Sequence, residues 1–330
     1  MATSLVTGGA GFIGAHLARA LVQRGDTVVV LDDLSGGFVD NVPEGAHFVR
    51  ASITDEQAIE RVFAEHRFDY VYHLAAYAAE GLSHFIRAFN YTNNVVGSMH
   101  VVNACVRHEV QCLVFTSSIA VYGAGQLPMR EELVPQPEDP YGVAKYAVEL
   151  DLRAAYEMFG LKSVVFRPHN VYGEFQNIGD RYRNVIGIFM NRLMHGEPMP
   201  IFGDGTQTRA FSYVGDIIPA LAHAVQTPAA FGEVFNVGAD RDYSVNELAS
   251  VVADALGAER RVQHLDARRE VLHAYSDHSK VRRVFGAQPE TPLADGIRRM
   301  AEWARVVGPR QSQAFENIEV TRNLPPAWQG

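Results

Sequence analysis

The feature that most restricts how this chain can fold is a cluster of glycines near the N-terminus, in the stretch TGGAGFIG from Thr7 to Gly14. Glycine destabilises the interior of both helices and strands. The apolar run that enters the cluster, Ser4–Gly8, is typical of a strand, and Phe12–Arg24 has the pattern of a helix. A glycine turn between a strand and a helix predicts a backbone that must bend sharply and lie close to a ligand.

Within the cluster, Gly9–Gly14 fits the pattern G-x-G-x-x-G, and the next predicted strand, Thr27–Asp33, ends in acidic residues. Asp32 lies 18 residues after Gly14. In a strand–turn–helix context this combination predicts a dinucleotide site, with the diphosphate at the helix N-terminus and the acid on the ribose hydroxyls. No Lys or Arg occurs between Asp32 and Arg50 to neutralise a 2′-phosphate, so the pattern favours NAD over NADP.

Short apolar runs alternate with helical patterns through the first half of the chain. Besides the two strands above, the predicted strands are His47–Ile53, Tyr70–Ala76, Cys112–Ser118 and Lys162–Pro168. The predicted helices between them are Asp55–Glu65, Tyr91–Arg107 and Val143–Phe159. Continuous apolar strands separated by helices indicate an α/β fold with a doubly wound parallel sheet of the Rossmann type.

The pattern changes after Pro168. Residues Gly173–Asn184 are polar and aromatic without a clear period, and we interpret them as an ordered loop. Val185–His195 has a helical pattern, and Met199–Val214 has the pattern strand, turn, strand.

A later apolar run, Glu233–Gly238, resembles one more strand of the first sheet. The second domain is therefore expected to be interleaved with the first. We predict an NAD-binding domain over residues 1–170, with the strand near 233–238 added to it. A smaller C-terminal α/β substrate domain is predicted mainly over residues 171–330.

The balance of charged residues excludes several classes of partner. The chain has 29 Lys and Arg against 38 Asp and Glu, a formal net charge of −9, which argues against a nucleic-acid or membrane-surface binder. No apolar run approaches the ~20 residues that span a bilayer, and no signal-peptide pattern is present, so a cytoplasmic protein is expected. Cys105 and Cys112 have neither metal-site nor redox-pair spacing, so we predict buried thiols and no metal.

A second motif pairs a tyrosine with a lysine. Tyr141 and Lys145 are four residues apart, so in a helix they lie on one face, and a nearby positive charge lowers the pKa of a phenol from about 10. Tyr141 is a candidate general base for a sugar or alcohol hydroxyl. Ser117 or Ser118, at the carboxyl end of a predicted strand, is a candidate to relay the proton. Taken alone, the pair also fits ordinary packing, and serines also simply end strands.

Further motifs occur in order along nearly the whole chain: LDDLS, HLAA, NNVVGS, TSSIAVYG, PYGVAK, RPHNVYG and GDGTQTRAFSYVGD. In these motifs the chain resembles the extended short-chain dehydrogenase/reductases of the nucleotide-sugar epimerase/dehydratase group, and within it the UDP-glucose (UDP-galactose) 4-epimerases. The resemblance implies bound NAD, a UDP-sugar substrate, and a homodimer formed through the helices Tyr91–Arg107 and Val143–Phe159.

By position, the resemblance implies that Ser118 is the catalytic hydroxyl, Tyr141 the base and Lys145 the residue that holds the nicotinamide ribose. The cofactor contacts that the motifs and the resemblance imply are Gly8, Gly11, Phe12, Ile13, Gly14, Asp32, Asp33, Ser52, Ile53, Leu74, Ala75, Ala76, Asn94, Ser117, Tyr141, Lys145 and Pro168. The substrate contacts that the resemblance implies are Ser118, Tyr141, Asn170, Asn184, Val185, Arg209, Arg269 and Tyr275.

The expected reaction depends on the two positions after Ser118. The 4,6-dehydratases of the group carry an acid/base pair there, whereas this chain has Ile119 and Ala120, which neither give nor take a proton. The expected reaction is therefore epimerisation at C4 through a 4-keto sugar, with NAD regenerated in each turnover. A UDP-glucuronate 4-epimerase, a dehydratase or reductase of the same family, and a non-catalytic NAD-binding protein stay open as alternatives.

Several positions leave the sugar undefined. Tyr77–Ala79 lacks the basic residue that the group often has near the NAD phosphates. Arg181 and Arg183 either meet a substrate carboxylate or are solvated, and His84 is expected to be structural or to contact substrate. Tyr275 matches the position beside C2 of the sugar, where a large ring favours glucose-type over N-acetylated sugars.

Overall fold

The computed structural model describes residues 1–267, 271–287, 289–311 and 315–328. Arg269, a predicted substrate contact, lies outside the described residues. In chain order the strands are β1 (Thr3–Thr7), β2 (Thr27–Asp32), β3 (Ala46–Arg50), β4 (Tyr70–His73), β5 (Cys112–Thr116), β6 (Ser163–Pro168), β7 (Val171–Tyr172), β8 (Met199–Phe202), β9 (Thr208–Ala210), β10 (Ser212–Tyr213), β11 (Val234–Val237), β12 (Asp242–Ser244), β13 (Val262–Leu265) and β14 (His273–Ala274). The helices are α1 (Phe12–Arg24), α2 (Glu56–Glu65), α3 (Glu80–Ser83), α4 (Arg87–Tyr91), α5 (Gly97–Arg107), α6 (Pro140–Phe159), α7 (Val185–Met194), α8 (Val214–His223), α9 (Val245–Leu256), α10 (Ser279–Phe285) and α11 (Leu293–Val307).

The centre of the fold is a parallel sheet. Over the described residues it has seven strands in the order β11-β6-β5-β4-β1-β2-β3. The order reverses between β1 and β4, and helices cover both faces, so the inner strands are buried along almost their whole length. The predicted α/β fold with a doubly wound parallel sheet is confirmed. The strand expected near 233–238 is β11, which pairs with β6 through Val234 and Val165.

Capping residues define the ends of two helices, and α6 begins at Pro140, three residues before the predicted start at Val143. Gly11 precedes α1, and Gly25 ends it in the left-handed region at φ 92°. Asp139 begins α6 by accepting a hydrogen bond of 2.9 Å from the N–H of Gly142, and Pro140 occupies the first turn, where a missing N–H costs nothing. These ends place the first turn of each helix at the carboxyl edge of the sheet.

The predicted strands Tyr70–Ala76 and Cys112–Ser118 end early, at His73 and Thr116, and two further differences lie after β3 and before α5. The strand predicted over His47–Ile53 ends at Arg50, because Ser52 and Thr54 form a turn in which their hydroxyls are 2.9 Å apart. The helix predicted over Tyr91–Arg107 begins earlier, and it contains a π-helical segment over Thr92–Val96. Such segments place extra side chains on one helix face and often occur near functional sites.

The second half of the chain builds smaller sheets beside the central one. β9 pairs antiparallel with β12 and parallel with β14, β8 pairs with β13, and β7 pairs with β10. α9 packs against α7 and α11, and it begins with a reciprocal cap between Ser244 and Glu247. Side chains of β8, β9 and α7 face the same cleft as the carboxyl edge of the central sheet.

The C-terminal strap, residues 308–311 and 315–328, returns across the first half of the chain. Phe315 packs between Tyr77 and Phe89. The carboxylate of Glu319 accepts hydrogen bonds from the N–H groups of Ala88 and Phe89, at 2.7 and 2.8 Å. Trp328 packs so closely on α3 that a Cβ on Gly81 would lie 3.0 Å from its ring. The strap therefore fixes the segment between β4 and α5.

The described residues include no helix long and apolar enough to cross a membrane. Both cysteines, Cys105 and Cys112, are buried and free. Burial raises the pKa of both thiols, and that of Cys112 reaches about 12. The prediction of buried thiols is confirmed.

Candidate active site and cofactor site

A continuous cleft of about 1900 Å³ runs along the carboxyl edge of the central sheet. Ligands of open α/β sheets bind at this edge, where the strand order reverses. The lining includes the glycine turn and Asp32 from the first half of the chain, and Arg209 and Ala274 from the second half. Tyr141 lines the cleft as well, so the cofactor and substrate positions predicted from the sequence share one space.

The glycine turn is built so that no side chain fits. Gly8 has φ 70°, and a Cβ there would lie 2.7 Å from the backbone nitrogen of Ala75. A Cβ on Gly14 would lie 2.2 Å from the carbonyl oxygen of Gly8. The backbone of α1 therefore packs directly on the turn, and its first N–H groups are available to the diphosphate of a dinucleotide. This end of the cleft fits NAD.

Asp32 is fixed at the end of β2 by backbone hydrogen bonds. Its carboxylate accepts one bond of 3.1 Å from Ala10 and one of 2.8 Å from Leu34. Burial raises the pKa of Asp32, while these two bonds and a third from Gly11 oppose the rise. Asp33 is held similarly, by a bond of 2.9 Å from Ser35. A preoriented acceptor at this place suits the ribose hydroxyls of NAD.

The reacting end is formed by Tyr141 and Ser118. Tyr141 is 6% exposed, and its hydroxyl is hydrogen-bonded to that of Ser118, which lowers the pKa of the phenol. Burial acts in the opposite direction and is stronger, so the pKa of Tyr141 is raised well above its ordinary value. The chain by itself does not produce the lowered pKa that the sequence predicted, because desolvation disfavours the phenolate. A lowered pKa therefore stays a prediction for the protein with its positively charged cofactor bound.

Lys145 lies beside the phenol without bonding to it. Its ammonium donates a hydrogen bond of 2.8 Å to the carbonyl of Thr116 at the end of β5, and its Nζ is 5.9 Å from the centre of the Tyr141 ring. The side chain is 3% exposed. Burial lowers the pKa of Lys145 to about 7, against an opposing effect of Glu149. Bound at the strand edge, Lys145 faces the cleft where a nicotinamide ribose is expected.

The two serines at the end of β5 have different environments. The hydroxyl of Ser117 donates a hydrogen bond of 2.5 Å to Glu149. Glu149 is itself paired with Arg167, whose Nε and Nη2 lie 2.9 and 2.5 Å from its two carboxylate oxygens. Ser117 lines the cleft, but its hydroxyl is bound to the buried ion pair between α6 and β6. Ser118 is the serine that reaches Tyr141.

Two predicted cofactor contacts lie behind the cleft wall. Asn94 is 1% exposed. It accepts a hydrogen bond of 2.8 Å from the N–H of Tyr77 and donates one of 3.0 Å to the carbonyl of the same residue. It thus holds the wall segment in shape. Ser52 is bonded to Thr54, whereas its neighbour Ile53 lines the cleft. The remaining predicted contacts on the glycine turn, after β4 and at Pro168 line the cleft.

On the substrate side, Asn170, Asn184, Val185 and Arg209 line the cleft as expected. Asn170 and Asn184 have left-handed backbones, at φ 40° and 64°, which asparagine tolerates better than most residues. The guanidinium of Arg209 donates to the carbonyls of Thr208 and Leu272, at 2.8 and 3.0 Å, and also to that of Val271. These bonds hold the guanidinium at the cleft wall.

Tyr275 does not line the cleft, whereas its neighbour Ala274 does. Ala274 is the last residue of β14 and pairs with Arg209. Successive residues of a strand point to opposite sides, so a shift of one position exchanges a tyrosine for an alanine. The structure thus places Ala274 in the cleft lining, and the substrate contact expected at Tyr275 stays a prediction.

Glu80 lines the reacting end of the cleft although sequence reasoning did not single it out. It begins α3, and its negative charge is second to burial among the causes that raise the pKa of Tyr141. His84, left open above, follows α3 and also lines the cleft. A four-residue helix carries no periodicity, so the sequence holds no signal that would have placed these two side chains.

The sheet order, the glycine turn and the acid that ends β2 define a dinucleotide-binding α/β protein. The profile of the NAD dependent epimerase/dehydratase family matches residues 4–238, and the chain belongs to this family. It is an NAD-dependent enzyme of nucleotide-sugar chemistry.

The individual relatives include both epimerases and dehydratases, the two kinds of enzyme in the family name. UDP-glucose 4-epimerase from Mycolicibacterium smegmatis is 34% identical over 310 residues, which cover 92% of this chain and 98% of that protein. The crystal structure of UDP-glucose 4-epimerase from Thermotoga maritima with UDP-glucose is 34% identical, has a TM-score of 0.87, and covers 92% of this chain and 99% of that one. A dTDP-glucose 4,6-dehydratase from Actinoplanes sp. is 32% identical over 317 residues, covering 91% of this chain and 97% of that protein.

Proposed function

We propose that the chain is a 4-epimerase for UDP-sugars of the UDP-glucose and UDP-galactose type. The observation that carries the proposal is the hydrogen-bonded pair of Tyr141 and Ser118, which lines the same cleft as the glycine turn and Arg209. A sugar linked to a diphosphate at Arg209 extends from that residue toward the phenol. Its 4-hydroxyl is the group that the proposal places there.

In this proposal Tyr141 Oη takes the proton of the sugar 4-hydroxyl, and Ser118 Oγ bridges the two oxygens. NAD, held by the glycine turn, Asp32 and Lys145, would supply the hydride acceptor for C4 and the hydride donor to the opposite face of the 4-keto sugar. Lys145 holds the ribose and supplies positive charge beside the phenol. Burial keeps the pKa of Tyr141 high, so the phenolate that acts as the base becomes populated only when positive charge is brought next to it.

The residues after Ser118 support epimerisation over dehydration. Ile119 and Ala120 both line the cleft, and neither side chain can move a proton from C5 or to the C6 oxygen.

The proposal also extends to the roles of the two domains. Residues 1–170, with β11 added, would hold NAD, and residues 171–330 would mainly hold the UDP-sugar.

One observation favours a second candidate function. Glu80 and His84 bring a carboxylate and an imidazole to the same end of the cleft from α3. An acid/base pair of this kind is what 4,6-dehydration of a nucleotide sugar requires. The two candidates differ in the mass of the product, because dehydration removes one water and epimerisation removes nothing.

The proposal is tested by supplying UDP-glucose, UDP-galactose, UDP-glucuronate and UDP-xylose to the purified protein and resolving the products by chromatography with mass detection. Interconversion of UDP-glucose and UDP-galactose is expected, at constant mass and without consumption of added NAD(H). A product lighter by one water would show the dehydratase instead. Steady consumption of the added cofactor would show a reductase or dehydrogenase.

A further inference from the structure

The loop after β2 forms a wall directly beside the glycine turn. The N–H of Phe38 donates a hydrogen bond of 3.0 Å to the carbonyl of Ala10. A Cβ on Gly37 would lie 2.7 Å from the nitrogen of Gly11. Gly36, one residue earlier, therefore borders the space in front of the turn, where the diphosphate of a dinucleotide is expected.

The segment that forms this wall supplies acidic residues and no basic residue. Asp32 and Asp33 end the β2 region, and the sequence has no Lys or Arg between Asp32 and Arg50. A dinucleotide diphosphate carries two negative charges, and the N-terminus of α1 offers only the partial charge of its N–H groups. A cation from another part of the chain would offset the repulsion.

Arg183 reaches the wall from the polar loop before α7. A Cβ on Gly36 would lie 3.3 Å from its Nη2 and 3.6 Å from its Nη1. The guanidinium carbon lies 4.7 Å from the centre of the Tyr77 ring, and Asp180 accepts a hydrogen bond of 2.6 Å from Nε. The side chain is only 16% exposed, so of the two sequence-based alternatives for Arg183, a solvated side chain is wrong.

We propose that Arg183 binds the diphosphate of the dinucleotide and closes the cofactor into the cleft from the substrate side. A guanidinium presents paired N–H donors that match phosphate oxygens. Asp180 pairs with the edge formed by Nε and Nη2, at 2.6 and 2.5 Å, and Tyr77 supports the flat face. The remaining edge, between Nη1 and Nη2 beside Gly36, is therefore fixed before any ligand arrives. This role of Arg183 concerns cofactor binding alone and does not depend on which sugar reaction the chain performs.

The C-terminal strap stabilises the loop that carries Arg183. The N–H of Phe315 donates a hydrogen bond of 3.1 Å to the hydroxyl of Tyr182, and the rings of Tyr182 and Trp328 pack edge to face at 5.4 Å. Because Tyr182 precedes Arg183, withdrawal of the arginine requires these contacts to break. Slow release of NAD follows from this arrangement.

The test compares Arg183→Gln with a matched control on the same loop, Arg181→Gln. NAD is quantified in the supernatant of denatured, freshly purified protein, and the dissociation constant of NADH is measured by fluorescence titration of protein stripped of nucleotide. Arg183→Gln is expected to lose bound NAD and to raise the dissociation constant roughly 10- to 150-fold, the scale of a lost charge-assisted hydrogen bond. Arg181→Gln is expected to behave like the wild type.

Two further measurements keep folding and substrate effects apart from cofactor binding. Arg183→Lys retains the charge without the paired donors and is expected to bind NADH with intermediate affinity. The melting curves of all three variants, recorded after the nucleotide is stripped, are expected to match that of the stripped wild type. Unchanged NADH affinity in Arg183→Gln would overturn the proposal. So would equal losses in both glutamine variants. A change confined to the KM of the UDP-sugar would place Arg183 at the substrate instead. If Arg183→Gln loses NADH affinity but the wild type epimerises no UDP-sugar, the result contradicts only the proposed reaction and not the role of Arg183.

Discussion

The hydroxyl of Ser83 accepts a hydrogen bond of 3.2 Å from the backbone N–H of Tyr141. The same hydroxyl donates a bond of 2.6 Å to the carbonyl of Glu80. Through Ser83, the short helix α3 is joined to the first turn of α6, and the carboxylate of Glu80 lies close enough to the phenol to raise its pKa. The segment after β4 and the helix turn that carries the proposed catalytic base therefore form one hydrogen-bonded unit.

This unit predicts a pH effect for Glu80→Gln. The Glu80 carboxylate raises the pKa of Tyr141, so removing its charge lowers that pKa. If the phenolate is the active form, kcat/KM rises with pH through this pKa, and in Glu80→Gln the rise moves to lower pH. The control is Glu138→Gln. Glu138 also lines the cleft, but its carboxylate accepts a hydrogen bond from the backbone N–H of Ala124. A shift to higher pH, or equal shifts in both variants, would contradict this view of Glu80.

Replacement of the phenol itself gives the largest expected effect on rate. Tyr141→Phe keeps the ring and removes the proton acceptor, so kcat is expected to fall at least ~10²-fold, the usual scale of general acid–base catalysis. Bound NAD and UDP-sugar affinity are expected to be largely kept. Tyr146→Phe, one turn further along α6, serves as the matched control. Near-normal turnover of Tyr141→Phe would show that the tyrosine is structural.

Sugar selectivity is expected to follow Ala274. If the residue that lines the cleft at the end of β14 borders C2 of the sugar, the small side chain leaves room for an N-acetyl group, and UDP-N-acetylglucosamine is a substrate beside UDP-glucose. Ala274→Tyr is then expected to reduce kcat/KM for the N-acetyl sugar by roughly 5- to 150-fold, the equivalent of an overpacking cost of about 1–3 kcal/mol. Tyr275→Ala, outside the cleft wall, is the control. An unchanged ratio in Ala274→Tyr would remove this residue from the sugar site.

The homodimer is expected to use the exposed apolar side chains of α6 and the segment before α5. Val143 and Leu150 are 40% and 38% exposed, and their spacing of two turns places them on one face. Val96 is exposed as well. Light scattering is expected to give a dimer at micromolar concentration for the wild type and a monomer for Leu150→Glu. Phe159→Glu, on the opposite side of α6, should leave the dimer intact, and a monomeric wild type would contradict the proposal.

The parts of the fold that the sequence predicted are those with strong local causes. The bounds of α1 were predicted because glycines lie at both ends of a regular apolar face. The sheet strands were predicted because each is continuously apolar between helices, which parallel sheets require. The identity of the cofactor followed from the glycine turn and Asp32, since both act through backbone geometry and charge that leave a direct trace in the sequence.

The parts that were not predicted depend on contacts between distant segments. Glu80 lies in a helix too short for a period. Arg183 lies in an irregular loop whose path depends on Tyr77 and on the C-terminal strap. β14 has only two residues, so no alternating pattern reveals that Ala274 rather than Tyr275 lines the cleft. Asn94 was expected to face the cleft, but its amide satisfies the buried backbone of Tyr77.

The central claim is that the hydride removed from C4 returns to C4, and a deuterium label follows it directly. UDP-glucose deuterated at C4 is incubated with the protein, and the product is examined by NMR and mass spectrometry. The account predicts UDP-galactose of unchanged mass that retains the deuterium at C4. Deuterium found at C6 of a product lighter by one water would contradict it, and so would loss of the label to added cofactor.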